Sequence, residues 1–470
     1  MKRSILHITL LISSLLFSAT LLAQTNVSGG EWAGGTLSGS YILQSNTTLT
    51  KAAITVAKNT TLTVDLNGYV LSGGNNSVVF DVLGGGTLNI KDSRPNISHQ
   101  GYLNDNGIFI WTQNIPSGYT STGVKGGIIY NPYKDAATDK KGIAVSGTCN
   151  IEWAKIVGCY TTGFGAAVTI SSSGRLTMKN GEVRYNYSAR SQSDIGGAIY
   201  GEPSHNNQGA IINISNSVIS DNKTLGSGGA ICGWTVTLDG CTIERNVASY
   251  NGGALYIRSS SNELTPGKLT IKNSTIAYNE AFGNANTGAG GGIYASTECE
   301  VENTYIEHNY SARTGGGFWS SGNTTVKDSF IRYNRTMSSE TEVNADGGGV
   351  VNAGRGGGFH FSSAGKVFIL DNTIVEYNAA MYYGGGGQLG SGAIMYQRNG
   401  TKVNNNTAVL KGAGGLHLTS SVTYYLEDGE VSYNTSGGVG GAIHSSYTCQ
   451  LHLNGGEIVG NKVYGRGGGV

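Results

Sequence analysis

Apolar and polar residues alternate over short stretches that recur along most of the chain. In "LTMKNGEVRYN" the apolar Leu176 and Met178 alternate with polar residues, and "LTIKNSTIAYN" repeats this pattern further along the chain. Alternation with a period of two predicts a β-strand that has one buried face. The Asn-Gly or Asn-Ser that follows predicts a bend, after which a second short strand carries Val183 or Ile276 inward.

An asparagine that follows a Val or Ile by three positions closes each unit. Successive asparagines are 24 to 44 residues apart. We expect them to lie above one another at one corner, where each amide hydrogen bonds to the next and where Asn tolerates left-handed backbone. These predicted structural asparagines are Asn186, Asn222, Asn246, Asn279, Asn309, Asn334, Asn378, Asn406, Asn434 and Asn461. The Asn406 unit lacks a clear upstream strand, so we expect a bulge or an inserted loop there.

A third element, "GGAIY" or a variant of it, follows most of the asparagines, as at Gly196–Tyr200 and Gly252–Tyr256. Three short strands per unit that repeat in one chain direction predict parallel ladders. Parallel connections are almost always right-handed. The fold class is therefore all-β, a right-handed parallel β-helix with three short strands per coil. A β-sandwich is the alternative, but it would not repeat one signature at fixed internal spacing.

The combination of "GGAI" with an apolar residue, two further residues and Asn resembles the repeats of chlamydial-type polymorphic outer-membrane proteins. It is also similar to right-handed β-helix segments of large surface proteins from gut and oral bacteria. The chain departs from the chlamydial pattern in using Val or Ile where Phe is usual, and Cys159 stands where one unit should have Asn. The resemblance implies a β-helical architecture and a role as an adhesin or surface protein, and it implies no particular enzymatic activity.

The start of the chain predicts export, and its end leads us to expect a further segment beyond the last residue. Residues 1–23 combine a basic start with an apolar run that ends at Ala23, which is the layout of a secretory signal peptide. We expect residues 24–120 to form entry or capping coils and residues 121–470 to form the repeat β-helix, truncated at its C-terminal end. Localisation would then be the cell surface, at the outer membrane, or the extracellular space. The rest of the sequence predicts no transmembrane span.

Composition fits a chain of short strands and tight turns. Gly accounts for 75 of 470 residues, while charged residues are 13% and the formal net charge is +1. This charge balance gives no reason to expect a nucleic-acid partner. The six cysteines permit up to three disulfides in an exported protein, or they replace buried apolar residues. They are Cys149, Cys159, Cys232, Cys241, Cys299 and Cys449.

The residue that follows the inward apolar position of the third strand is often aromatic or His. We expect an outward ladder that binds sugar rings, or another surface, on its flat side chains. Aromatic stacking that merely stabilises the coils is the other interpretation. The predicted binding residues are Tyr200, Tyr256, Tyr294, Trp319, His360, His417 and His444, and Cys232 and Met395 are expected in the same column. The expected partner is polysaccharide or a host or bacterial surface.

Catalytic chemistry is not evident in the pattern of charged residues. An enzyme of this shape needs neighbouring acids, or a basic residue beside carboxylates, on adjacent coils. Only Lys272, Glu302 and Lys327 approach this, and a solvated face explains them equally well. His417 and His444 should be neighbours without a third metal ligand. We therefore predict no catalytic residue, metal or cofactor, with a polysaccharide lyase or glycoside hydrolase as the alternative to a non-enzymatic protein.

Overall fold

The structure is a computed structural model that describes residues 24–131, 138–192, 195–204, 209–258, 266–283, 287–336 and 354–470. The predicted signal peptide lies outside the described residues. Every regular element in the described ranges is a β-strand. Nearly all of the strands belong to long parallel sheets in which each strand pairs with its counterparts on the coils before and after it. The predicted parallel β-helix is thereby confirmed.

Sheet 1 consists mostly of five-residue strands, in which inward apolar residues alternate with outward polar ones. Its 15 strands are Thr25–Val27, Gly39–Leu43, Thr61–Asp65, Thr87–Lys91, Thr148–Glu152, Arg175–Lys179, Ile211–Ser215, Thr235–Asp239, Lys268–Lys272, Glu298–Glu302, Thr324–Lys327, Val367–Asp371, Ile394–Arg398, Thr423–Leu426 and Gln450–Leu453.

Sheet 2 follows the first bend of each coil and carries the Val or Ile that precedes the corner asparagine. Its 15 strands are Glu31–Trp32, Thr47–Leu49, Val70–Ser72, Ile128–Tyr130, Lys155–Val157, Glu182–Arg184, Val218–Ser220, Thr242–Glu244, Thr275–Ala277, Tyr305–Glu307, Phe330–Arg332, Ile374–Glu376, Lys402–Asn404, Glu430–Ser432 and Glu457–Val459.

Sheet 3 contains the strands that follow the glycine pairs. Its 14 strands are Gly35–Thr36, Ile54–Val56, Val78–Val82, Lys141–Val145, Val168–Ile170, Ile199–Gly201, Ile231–Gly233, Leu255–Ile257, Ile293–Ala295, Phe318–Ser320, Phe359–Phe361, Gly387–Leu389, Leu416–Leu418 and Ile443–Ser445.

Sheet 4 was not predicted from the sequence. It consists of two-residue strands immediately after the corner, too short to show an alternating pattern, and their second residues are mostly small and buried. The expected three strands per coil are therefore present, with a fourth added. Its 11 strands are Tyr160–Thr161, Tyr187–Ser188, Lys223–Thr224, Val247–Ala248, Glu280–Ala281, Tyr310–Ser311, Arg335–Thr336, Ala379–Ala380, Thr407–Ala408, Thr435–Ser436 and Lys462–Val463.

The core runs inside the stacked coils and consists of columns of like residues in register. Ile271, for example, pairs with Val301 of the next coil, and both side chains are buried. Cys299 occupies the same inward column as Leu269, which it pairs with directly. The described cysteines are all free thiols, and five of the six are buried. The interpretation of the buried cysteines as substitutes for apolar residues therefore fits the structure. Removal from water also raises the pKa of the Cys299 thiol to about 12.

The corner asparagines form one continuous column. In each successive pair the side-chain Nδ2 donates to the Oδ1 of the next asparagine at 2.9 to 3.0 Å, and the backbone N–H donates to the same oxygen. At the start of the column the Cys159 N–H donates to the Oδ1 of Asn186. The left-handed residue of the corner is the one that precedes the asparagine, such as Tyr278 (φ 57°) or Tyr333 (φ 53°). The expectation that the asparagine itself adopts this conformation is therefore wrong.

The Asn406 unit has an upstream strand after all, and the expected bulge or loop is wrong. Ile394–Arg398 pairs in register with the strands before and after it. Met395 and Gln397 point inward there and are both fully buried. The strand was missed because its second inward residue is polar: Tyr424 Oη donates to Gln397 Oε1 at 2.7 Å, and Gln397 Nε2 donates to the Thr401 carbonyl at 2.9 Å.

An antiparallel insertion interrupts the coils near the N-terminus. Its strands are Ser98–Leu103, Phe109–Trp111 and Ser121–Lys125. Phe109 and Val124 pack on the outer side of sheet 2, against Val70, Ile128 and Val157. The predicted boundary at residue 120 falls inside this insertion, and sheets 1 to 3 continue across it.

Candidate functional site

The column predicted as a binding surface lies along sheet 3, in register over consecutive coils. Tyr256 pairs with Tyr294, Tyr294 with Trp319, and Trp319 with His360. Tyr200 and Cys232 precede them, and His417 and His444 close the series. One residue was assigned wrongly: Gln388, and not Met395, pairs with both His360 and His417.

The wrong assignment has a physical cause at the neighbouring inward position. Gly387 stands where the other coils have a bulky apolar residue, so the strand does not show the expected sequence pattern. A Cβ on Gly387 would overlap the ring of Phe359 in the preceding coil. The phenylalanine therefore fills the space that the glycine leaves. This compensation between coils is invisible when each repeat is examined alone.

The column is not the exposed ladder that its alternation suggested. Tyr200 and Tyr256 are only 4% and 6% exposed, and His417 is 5% exposed. The ring of Phe164 packs on Tyr200 at a centroid distance of 4.4 Å, and Ile195 packs against the same cluster. These covering residues come from the connections before sheet 3. The expectation of exposure is therefore wrong for these three residues, whereas Tyr294, Trp319, His360 and His444 are partly exposed.

The rings in the middle of the column cover one another's faces. Tyr294 stacks on Trp319 with centroids 4.1 Å apart and planes 6° from parallel, and on Tyr256 at 5.0 Å and 25°. A sugar cannot stack on a face that another ring already covers. The series breaks after Trp319, because His360 meets it edge-on at 6.4 Å and 77°.

A cleft of about 300 Å³ lies where the stacking breaks. Residues on four successive coils line it, from the coil of Asn251 to that of His360, and they combine aromatic rings, hydroxyls, an amide and guanidinium groups. They are Asn251, Ala289, Tyr294, Arg313, Thr314, Trp319, Arg355, His360 and Ser362. Thr314 and Arg355 are held on adjacent coils by a parallel bridge. The two arginines were missed from the sequence because they lie between the repeated elements and belong to no pattern.

The histidines of this column all have a lowered pKa. Removal from water, together with the positive charges of Arg355 and Arg313, lowers the pKa of His360 to about 3. Burial lowers the pKa of His417 to about 3, and it also lowers the pKa of His444. The rings of His417 and His444 stack at 5.3 Å and 11°. Among the described residues no group of three or more His, Cys, Asp or Glu side chains is arranged to hold a metal ion.

The charged residues suggested as an enzymatic alternative lie on the open face of sheet 1. Lys272 Nζ is 2.9 Å from Glu302 Oε2, and Lys327 Nζ is 3.9 Å from Glu302 Oε1. The hydrogen bond to Glu302 raises the pKa of Lys272, and the same contact lowers that of Glu302. A lysine that acts as a base needs a lowered pKa, so this arrangement suits a solvated ion pair.

A second aromatic column, which was not predicted from the sequence, lies at the exposed corner before the asparagines. Tyr278, His308, Tyr333 and Tyr377 stack in sequence at 4.8, 5.0 and 5.2 Å with nearly parallel planes. The sequence pattern that could have predicted this column is the Tyr that directly precedes several of the corner asparagines. Because these rings also cover one another's faces, the column stabilises its left-handed corner and offers mainly ring edges to solvent.

One family model matches a single repeat of the chain. The model of the Chlamydia polymorphic membrane protein (Chlamydia_PMP) repeat matches residues 216–233, which include Asn222 and the "GGAI" of the next strand. The resemblance predicted from these motifs is thereby confirmed. No curated protein matches the chain. None of the described residues forms a helix that is long and apolar enough to cross a membrane.

Two solved structures are similar over most of the chain. The periplasmic alginate epimerase AlgG is 12% identical, with a TM-score of 0.29, and the match covers 88% of this chain and 77% of that chain. The Gp54 tailspike of the Acinetobacter baumannii bacteriophage AP22, in complex with A. baumannii capsular saccharide, is 8% identical with a TM-score of 0.25. That match covers 89% of this chain and 71% of the tailspike chain. Similarity at this level does not extend to activity or ligand.

Proposed function

We propose that this chain is an exported, non-enzymatic β-helical protein of the cell surface or extracellular space that binds polysaccharide. The observation that carries the proposal is the cleft beside Trp319, where the aromatic stack of sheet 3 ends. An indole beside hydroxyl, amide and guanidinium groups offers both contacts that a sugar needs, an apolar surface and hydrogen-bond partners.

The shape of the site favours a linear polymer over a compact small molecule. The lining residues come from four successive coils, which at a strand spacing of ~4.8 Å extend along about 15 Å of the rod. A saccharide chain lying along the rod would meet Asn251 or Thr314 on one coil and Ser362 on another. The basic and apolar start of the chain and the polymorphic membrane protein repeat match support export and a surface role.

Binding to a panel of neutral and acidic polysaccharides, measured by calorimetry, tests the proposal. Trp319→Ala should weaken the binding about tenfold, since a contact worth about 1.5 kcal/mol corresponds to that factor. Tyr396→Ala is the matched control, because Tyr396 stacks on Tyr425 at 4.6 Å and 4° on a different face. It should leave the binding unchanged.

Two outcomes would count against the proposal. If no polysaccharide binds, or if Trp319→Ala binds polysaccharide as well as the Tyr396→Ala control does, the cleft is not a polysaccharide-binding site. Polysaccharides incubated with the protein should yield neither new reducing ends nor unsaturated products. Product that disappears in Lys272→Met or Lys327→Met would instead establish the lyase or hydrolase alternative, with the ion-pair face of sheet 1 as its site.

A further inference from the structure

A second pocket lies beneath the antiparallel insertion, on a different face of the rod from the cleft. It has a volume of about 520 Å³ and is bounded on one side by the insertion and on the other by the coils below it. Ile97 and Ser98 form part of its rim. The other lining residues, all aromatic, amide or imidazole side chains, are Asn46, Tyr69, His99, Gln100, Trp111 and Gln113.

A buried carboxylate fixes the base of the insertion. Asp92 is 3% exposed, and its Oδ1 accepts the backbone N–H groups of Gly68 (2.6 Å) and Arg94 (3.1 Å). Its Oδ2 accepts the N–H of Gly127 at 2.5 Å. Asp92 therefore ties the chain entering the insertion to the chain leaving it and to the coil beneath. Bonds from backbone amides to a buried charge are strong, so the two walls hold a fixed separation.

Individual side chains of the pocket are also held in place. His99 is buried, and its Nε2 lies 2.8 Å from the Gly68 carbonyl oxygen. Asn46 Oδ1 accepts the Val70 N–H at 2.9 Å. The backbone N–H of Trp111 donates to the Tyr130 hydroxyl at 3.2 Å. A pocket whose walls are already ordered loses little conformational entropy when a ligand enters.

The walls carry aromatic, amide and imidazole groups, whereas two arginines line the cleft at Trp319. None of the described residues that line it is an Asp, Glu, Lys or Arg. Two aromatic side chains offer apolar surface, while Gln100 and Gln113 are exposed amides that both donate and accept hydrogen bonds. A charged ligand would find no counter-ion, and a purely apolar one would leave the amides without partners.

We propose that this pocket binds a neutral saccharide unit. The C–H face of the sugar would lie against Trp111 or Tyr69, and its hydroxyls would exchange hydrogen bonds with Gln100, Gln113 and Asn46. The volume lies within the range of small-ligand sites. The site is independent of the proposed function at the cleft, because the two share no residue and lie on different sheets.

Saturation-transfer NMR and calorimetry test this site with glucose, galactose, mannose, N-acetylglucosamine and their disaccharides. We expect at least one member to bind saturably, and Trp111→Ala to weaken that binding about tenfold. Trp111→Phe should retain most of the affinity, and Gln100→Ala should lower it severalfold. These two variants keep the test valid if Trp111→Ala folds poorly, which its thermal unfolding curve would reveal.

Two controls isolate the pocket. Tyr119→Ala removes an aromatic residue of the same insertion. Its ring packs against Tyr102 at a centroid distance of 4.6 Å and does not line the pocket, so this variant should leave binding unchanged. Trp319→Ala should also leave it unchanged, which separates this site from the cleft. The proposal is overturned if no member of the panel binds, if Trp111→Ala behaves like Tyr119→Ala, or if glucuronic acid binds at Trp111 as well as glucose does.

Discussion

Asn246 donates twice to a single oxygen of Asn279, the equivalent residue of the next coil. Both its side-chain Nδ2 and its backbone N–H lie 3.0 Å from Asn279 Oδ1. Asn279 in turn donates its Nδ2 to Asn309 Oδ1 and to the carbonyl oxygens of Ile243 and Ala277. Each amide thus satisfies buried polar groups on two coils, and no apolar side chain could replace it.

Replacing one asparagine of the column should therefore be costly. Asn279→Ala removes the acceptor of the Asn246 N–H and one donor to the Ile243 carbonyl. At about 1–3 kcal/mol for each buried group, we expect the free energy of unfolding to fall by roughly 3 kcal/mol or more. Urea denaturation would measure the loss, and hydrogen exchange at the Asn246 amide would locate it.

Asn213→Ala serves as the control for this change. Asn213 is exposed at the centre of its strand in sheet 1, so its replacement should alter the stability by less than about 0.5 kcal/mol. Equal losses in the two variants would contradict a special role for the corner.

Gln397 and Tyr424 form a polar pair inside an otherwise apolar column. Gln397→Leu fits the column, since Gln397 pairs with Leu370 and Leu426, but it leaves the Tyr424 hydroxyl buried without its 2.7 Å partner. We expect a loss of about 1–3 kcal/mol. Because Tyr424→Phe removes the stranded hydroxyl, the double variant should be more stable than Gln397→Leu alone.

A double-mutant cycle in urea measures this coupling. A coupling energy of about 1 kcal/mol or more is expected for groups in direct contact. Strictly additive single effects would show that the two side chains do not depend on each other.

His417 should make the stability depend on pH in mildly acidic solution. Burial first, and then His444, Arg355 and His360, lower the pKa of His417 to about 3 in the folded chain, against about 6.5 when unfolded. Between these values only the unfolded chain binds the proton, so the free energy of unfolding falls as the pH drops below about 6.5. Between these pH values, proton binding by His417 in the unfolded chain lowers the free energy of unfolding by up to about 1.4 kcal/mol per pH unit. Above pH 7 neither state binds this proton, so His417 causes no such loss there.

His417→Gln tests this dependence. Gln keeps a polar side chain at the position but does not titrate, so the loss of stability from pH 6.5 to pH 5 should become smaller than in the wild type. His452→Gln is the matched control, because the last coil leaves His452 partly exposed. Identical slopes in wild type and His417→Gln would refute the assignment.

The sequence by itself determined the coil. Glycine pairs, alternating apolar residues and the recurring Asn specify the same turns in every unit, and stacking follows because each unit can bury its apolar side only against its neighbours. The spacing of the repeat units therefore predicts that Asn279 lies beside Asn246 and Asn309. It also predicts that Tyr294 pairs in register with Trp319.

Only the tertiary structure decided which outward side chains meet solvent and where a cleft or pocket forms. Phe164 and Ile195 cover Tyr200 from connections that share no repeat, and Phe359 fills the space beside Gly387 from another coil. The cleft at Trp319 and the pocket at Trp111 arise in the same way. Such contacts join residues with no common pattern, so they become visible only when the coils are stacked.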